Sequence, residues 1–181
     1  MPSSIAHASV AVLSSPLLSP RWRTRRVIGL TAVAAALPDL DAIGRPFGRG
    51  DIDWLGGHRA LTHSLFAALA IATLSLAFIG REAKPGERWR VFLFVLFVVA
   101  SHGLLDAFSA YGEGVALFAP FTMYRWKSAW QPFGGLWSEL FALWLPAALV
   151  YALWVNRETG KLGNRVIRLP GNRDTGKPEL R

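Results

Sequence analysis

Apolar side chains run in long blocks along this chain, and charged residues fall mainly in the gaps between them. The strongest blocks are residues 64–79 (SLFAALAIATLSLAFI), 91–101 (VFLFVLFVVAS) continuing to 111, and 140–155 (LFALWLPAALVYALWV). Counted with its flanks, each approaches the roughly 20 residues a helix needs to cross a bilayer. Two shorter blocks, 5–18 and 27–37, read as tilted, re-entrant or packed inside the bundle. The pattern predicts an all-α fold: a polytopic transmembrane helical bundle of about four to five helices, with no internal repeat. Residues 1–155 are the expected membrane-embedded domain. Periodicity ends at residue 156, so 156–181 (NRETGKLGNRVIRLPGNRDTGKPELR) is read as a basic, disordered cytoplasmic tail.

Composition strengthens this picture, with 52% apolar and only 18% charged residues. Cysteine is absent, which excludes disulfide staples and thiolate metal sites and leaves histidine and carboxylate as the available strong metal ligands. The net charge of +8 does not point to nucleic acid, because the basic residues neither line one helix nor alternate with exposed aromatics. They report topology instead. If each block crosses once, all but five of the twenty Lys and Arg fall on one side, in loop 20–26, loop 81–90 and the tail. The exceptions are Arg45, Arg49, Arg59, Arg125 and Lys127. The positive-inside rule makes the richer side cytoplasmic, with the N-terminus outside and the C-terminus inside. The basic cluster RWRTRR follows the first apolar block, an order that suits an uncleaved anchor better than a signal peptide.

Histidines took no part in that assignment, yet all four, His7, His58, His63 and His102, fall on the outer side together with Asp39, Asp41 and Asp106. In SHGLLD, His102 and Asp106 are four residues apart and share one helix face. In PDLD, Pro38 ends a helix, and an extended continuation would send Asp39 and Asp41 opposite ways, one to ligate and the other to orient a histidine. HRALTHS fits if His58 lies in the Gly56-Gly57 loop and Thr62 or a neighbour caps a helix with His63 in its first turn. Thr62, Ser64 and the local N–H groups could then receive a phosphate or oxyanion, with Arg59 as the bidentate cation. Asp51 and Asp53 read as solvated connection. Nitrogen and oxygen ligands without sulfur suit zinc, one or two ions, with manganese or iron as alternatives. Such a centre generates hydroxide near neutral pH, and a carboxylate not bound to metal, such as Asp41, is the candidate base.

In this order the residues resemble the bacterial membrane-bound, metal-dependent hydrolases, also described as LexA-binding, inner-membrane-associated hydrolases. The likeness runs from His7 through PDLD and HRALTHS to SHGLLDAFSAYG and APF at 119–121, roughly the first two thirds of the chain. That family is similar in turn to the all-helical zinc phospholipase C and single-strand nuclease group. The likeness implies zinc binding through His7, Asp39 or Asp41, His58 or His63, and His102 with Asp106. The chain departs from the soluble enzymes because no histidine follows His102, so Glu113 or Glu139 would have to serve a third ion. The resemblance implies a multi-pass inner-membrane hydrolase acting at the outer, periplasmic face on a lipid-like ester or phosphoester, with membrane lipids around it. The alternative is a non-catalytic interaction protein with a structural metal and a basic tail that recruits a cytoplasmic protein or anionic lipid. Trp126, Trp130 and Trp137 read as an interfacial aromatic belt.

Overall fold

In the computed structural model, residues 3–43, 56–79 and 84–167 are described; Arg45, Arg49, Asp51, Asp53 and Arg81 lie outside them. Ser3 caps the first helix by accepting the Ala6 N–H, and α1 spans Ser4–Leu13. Pro16 then tightens the chain into a short 3₁₀ turn, Ser15–Leu17. Thr24 accepts from the Val27 N–H to start α2, Arg25–Ala36. α3 is Leu65–Ile79 and α4 is Pro85–Ala107. A single turn, α5 (Leu136–Glu139), continues through a π-helical stretch, Leu140–Trp144, into α6, Leu145–Ile167.

Several boundaries differ from the apolar pattern, and the reasons are physical. α4 begins at Pro85, ahead of the apolar block, because proline suits the first helical position and the Glu87 carboxylate accepts the Lys84 N–H (3.2 Å). It ends at Ala107, short of Tyr111. α6 continues past residue 155 to Ile167, into the expected tail, since Arg, Glu and Lys sustain a helix after the apolar run has ended. PDLD does not become extended. Pro38 is the second residue of a 3₁₀ turn, Leu37–Ala42, whose first turn needs no N–H donor.

α4 is the central post, packed against α1, α2 and α3. Its Val91, Val95, Val98 and Val99 are buried against the small Ala11, Ala34, Ala35, Ala68 and Ala72, so branched side chains fill the space alanines leave. In a bilayer this packing contributes through close van der Waals contact, since lipid is as apolar as the core. α6 packs on α1. The bundle is apolar outside as well as inside: Val33, Leu74, Phe78, Leu149 and Leu153 are each at least 60% exposed, the pattern of helices bathed in lipid. Gly86–Ala107 and Leu136–Arg157 are long and apolar enough to cross a membrane, while Ser4–Leu17 and Leu65–Ile79 are shorter apolar helices.

Among the described residues there is no named strand. The segment 108–135 instead folds back over one end of the bundle, held by the Leu65 N–H on the Leu117 carbonyl (2.9 Å), Ala116 on Arg59 (3.0 Å) and Ser128 on Ala107 (2.9 Å). The opposite end carries Arg21, Arg23 and Arg26, with Arg21 paired to Glu87 at 3.0 Å.

Candidate metal centre

Four helix ends meet under that folded-back segment. The first turn of α1 supplies His7, the 3₁₀ turn after α2 supplies Asp39 and Asp41, the turn before α3 supplies His63, and the last turns of α4 supply His102 and Asp106. All are buried except Asp39, whose side chain is 13% exposed. The closeness of α4 to the turn before α3 depends on Gly103: a Cβ there would sit 2.2 Å from the His63 carbonyl oxygen.

Each orienting contact leaves one ligand atom facing a common point. His102 Nδ1 donates to the Ala35 carbonyl (2.7 Å), which fixes its proton and leaves the Nε2 lone pair available. His63 Nδ1 donates to the Thr62 hydroxyl (2.9 Å), which donates to Asp41 Oδ2 (2.5 Å). Asp41 Oδ1 accepts from His58 Nδ1 at 2.7 Å. Asp39 Oδ2 accepts from the Ser4 hydroxyl at 2.6 Å, so Oδ1 is the oxygen turned inward. His7 stacks on His102, with ring centroids 3.6 Å apart and planes 16° apart.

The inward atoms are too far apart for good hydrogen bonds. His7 Nε2 lies 3.5 Å from Asp106 Oδ1, His63 Nε2 3.4 Å from Asp106 Oδ2 and 3.6 Å from Asp39 Oδ1, and His102 Nε2 3.4 Å from Asp39 Oδ1. Two ligands each ~2.1 Å from one tetrahedral ion sit ~3.4 Å apart. The same atoms, Nε2 of His7, His63 and His102, Asp39 Oδ1 and both Asp106 oxygens, are buried with no hydrogen-bond partner. Such groups are rare in folded proteins, and coordination of an ion is one of the few physical explanations.

His7, His102 and Asp106 form one triad able to hold a metal, and Asp39, His63 and His102 form another. The two share His102, whose Nδ1 is already committed, so a single Nε2 serves both and one ion between them is the simplest occupancy. A third triad, Asp41, His58 and His63, is knit by Nδ1 hydrogen bonds, which makes Asp41 an orienting carboxylate. Burial alone would raise the Asp39 and Asp41 carboxyls. Their histidine partners, with the Ser4 and Thr62 hydroxyls, outweigh that and hold both well below the usual carboxylate range. With imidazoles serving as neutral ligands, Asp39, Asp41 and Asp106 set against Arg59 among the described residues leave two negative charges, matching one divalent cation.

Other expected residues are placed differently. His63 sits in the 3₁₀ turn Leu61–His63, just ahead of α3, instead of in its first turn. The cap is Ser64, whose Oγ donates to the Leu61 carbonyl (2.7 Å) and accepts the Ala67 N–H (3.1 Å). His58, by contrast, lies where its spacing required, in the turn after Gly56 and Gly57, both with positive φ. Arg59 is buried against Asp106, its Nε 3.0 Å from Oδ2. Glu113 is exposed. Glu139 is buried and accepts the Ser3 N–H (3.1 Å) and hydroxyl (2.8 Å), tying down the helix that carries His7. Neither glutamate joins a metal-competent cluster among the described residues. The supporting roles of Ser4, Gly103 and Glu139 carry no local sequence signal, since their partners lie far along the chain.

Comparison with known proteins places the chain in a family. Residues 1–167 match the family described as YdjM inner membrane protein. The chain is 32% identical over 176 residues to the inner membrane protein YbcI of Escherichia coli (strain K12), an alignment covering 87% of this chain and 99% of the relative. No solved structure matches it. With two helices able to span a bilayer and a likeness that runs from the residues before His7 to the end of α6, the chain belongs to the YdjM family of bacterial inner-membrane proteins.

Proposed function

We propose that this protein is a membrane-bound, metal-dependent hydrolase whose single divalent ion, zinc by ligand chemistry, is held by His7, Asp39, His63, His102 and Asp106. The observation that carries the proposal is the set of buried Nε2 and carboxylate atoms that make no hydrogen bond and lie 3.4–3.6 Å apart. When bound, a divalent cation supplies Lewis acidity and acidifies a water molecule to near neutral pH. Around it, Asp41 holds the His58 and His63 rings in register through Nδ1, Ser4 aims Asp39, and Ser64 caps α3. Manganese and iron are the competing ions.

The lipid-like substrate is supported by an apolar groove of about 290 Å³ between α2 and α3, lined by Leu30, Val33, Leu37, Ile71, Leu74 and Phe78. Leu37 opens the 3₁₀ turn that carries Asp39, the one partly exposed candidate ligand. A chain lying in this groove from the bilayer has its polar end directed to the site. The crossings alternate in this reading, with the metal end periplasmic and the Arg21–Arg26 end and the tail cytoplasmic.

Elemental analysis of detergent-purified protein, beside turnover of a phospholipid, phosphoester and carboxylic-ester panel, tests the proposal. Expected are one equivalent of metal and hydrolysis that chelation abolishes. Stoichiometric metal without turnover, joined to a phenotype lost on deleting residues 168–181, gives the alternative: a structural metal and a tail that recruits a partner, LexA included.

A further inference from the structure

Arg59 is more elaborately positioned than a countercharge requires. Its φ of +67° lies in the left-handed region that a non-glycine side chain rarely adopts. The neighbouring backbone is pinned on both sides: the Arg59 carbonyl accepts from Ala116 (3.0 Å), and Arg125 donates to the His58 (3.1 Å) and Gly56 (3.2 Å) carbonyls. The guanidinium then passes over Gly112, where a Cβ would sit 2.6 Å from Nη1, and Nη1 donates to the Tyr111 carbonyl. Nε faces Asp106 Oδ2, while Nη2 is buried with no hydrogen-bond partner. Arg59 as a whole is 3% exposed.

We propose that the Nη2 edge of Arg59 is an oxyanion subsite for a non-bridging oxygen of a phosphoryl group, so that the substrates are phosphoesters in preference to carboxylic esters. This rests on the metal-centre reading. Once Asp106 shares its charge with a metal ion, the guanidinium beside it is under-compensated, and a buried cation in that state is costly. A carboxylic ester arrives neutral and cannot relieve the cost before reaction, whereas a phosphoester arrives with a formal negative charge and acceptor oxygens suited to a guanidinium edge. The subsite therefore discriminates in the ground state.

The test uses the full chain in detergent, zinc-loaded and checked by elemental analysis, with inorganic phosphate titrated calorimetrically into wild type, Arg59→Gln, Arg59→Lys and Gly112→Ala. Arg59→Gln that keeps its metal is expected to bind phosphate about 10–100-fold more weakly, the loss of a charge-assisted hydrogen bond. Gly112→Ala, which crowds Nη1 and keeps the charge, is expected to show a smaller loss. Phosphate affinity unchanged in metal-loaded Arg59→Gln overturns the proposal. If Arg59→Gln sheds its metal, unchanged affinity in both Arg59→Lys and Gly112→Ala overturns it instead. Wild type without stoichiometric metal overturns the metal-centre reading itself and removes this subsite with it. A parallel titration with phosphatidylcholine vesicles containing phosphatidic acid separates the two sources: tighter binding to vesicles than to free phosphate assigns the subsite to a lipid headgroup.

Discussion

The two ends of this bundle handle charge in opposite ways. At one end Arg21 meets Glu87 at 3.0 Å with side chains 55% and 30% exposed, where water and salt screen the pair and its partners are replaceable. At the other end His7, His102 and Asp106 are fully buried, with Asp41 and His63 nearly so, and their charges must be met by one another, by Arg59 or by an ion. Charge near water locates a helix end, whereas charge taken out of water demands a specific partner. The same residue types therefore carry little information at the first end and much at the second.

The largest effect separating the two ends is expected from Asp106→Asn. It removes a proposed ligand and leaves Arg59 buried without its countercharge, so metal should be lost and stability should fall by about 3–5 kcal/mol, measured by chemical unfolding in micelles. Retained metal with wild-type stability would erase the distinction. Asp41→Asn acts one layer out, on the Nδ1 protons of His58 and His63, and should weaken metal affinity about 10–100-fold without abolishing binding, read by competition with a chromophoric chelator.

Acidity probes the buried end directly. Burial disfavours a charged His63, but Asp39, Asp41 and Asp106 outweigh that and raise its affinity for a proton above the ordinary value of 6.5. In the metal-free protein this contribution to stability is complete below about pH 6.5 and is lost as pH rises through the raised value. The Asp39 and Asp41 contributions run the other way, present above about pH 4 and lost only as pH falls through their lowered values. A metal ion bound to His63, as proposed, would displace its proton, so affinity should rise about tenfold per pH unit below the raised value, with proton release visible in buffers of different ionisation enthalpy. A pH-independent affinity would show that His63 is no ligand.

Gly103→Ala tests the packing that brings the site together. The new methyl must displace the His63 carbonyl, at a cost of about 1–3 kcal/mol set against a gain of roughly 1 kcal/mol in helix propensity. The expected outcome is a net loss in thermal stability accompanied by weaker metal binding. Arg21→Ala at the exposed end should cost less than about 1 kcal/mol and leave metal content unchanged.

Much of the helical frame was legible because lipid-exposed and core positions are both apolar, so α3 and the centres of α4 and α6 stand out as unbroken blocks. Their ends were not, since Pro85, Glu87, Arg157 and Lys161 read as loop residues by polarity yet lie within α4 and α6. Placing all four histidines at one end was also possible beforehand, because counting crossings needs only the order of blocks and charges along the chain.

Thus the chain by itself determined the all-helical class, the absence of thiolate ligands, the pairing of His102 with Asp106 one turn apart, and the gathering of His and Asp toward one end. Only the tertiary structure decided which of them face a common point. The Ala35 carbonyl selects His102 Nε2, Asp41 and Thr62 together select His63 Nε2, and Ser4 selects Asp39 Oδ1. These are choices between two atoms of one side chain. They depend on partners from 21 to 67 residues away for Asp41–Thr62 and Ala35–His102 respectively, whereas composition and helical periodicity report only on neighbours.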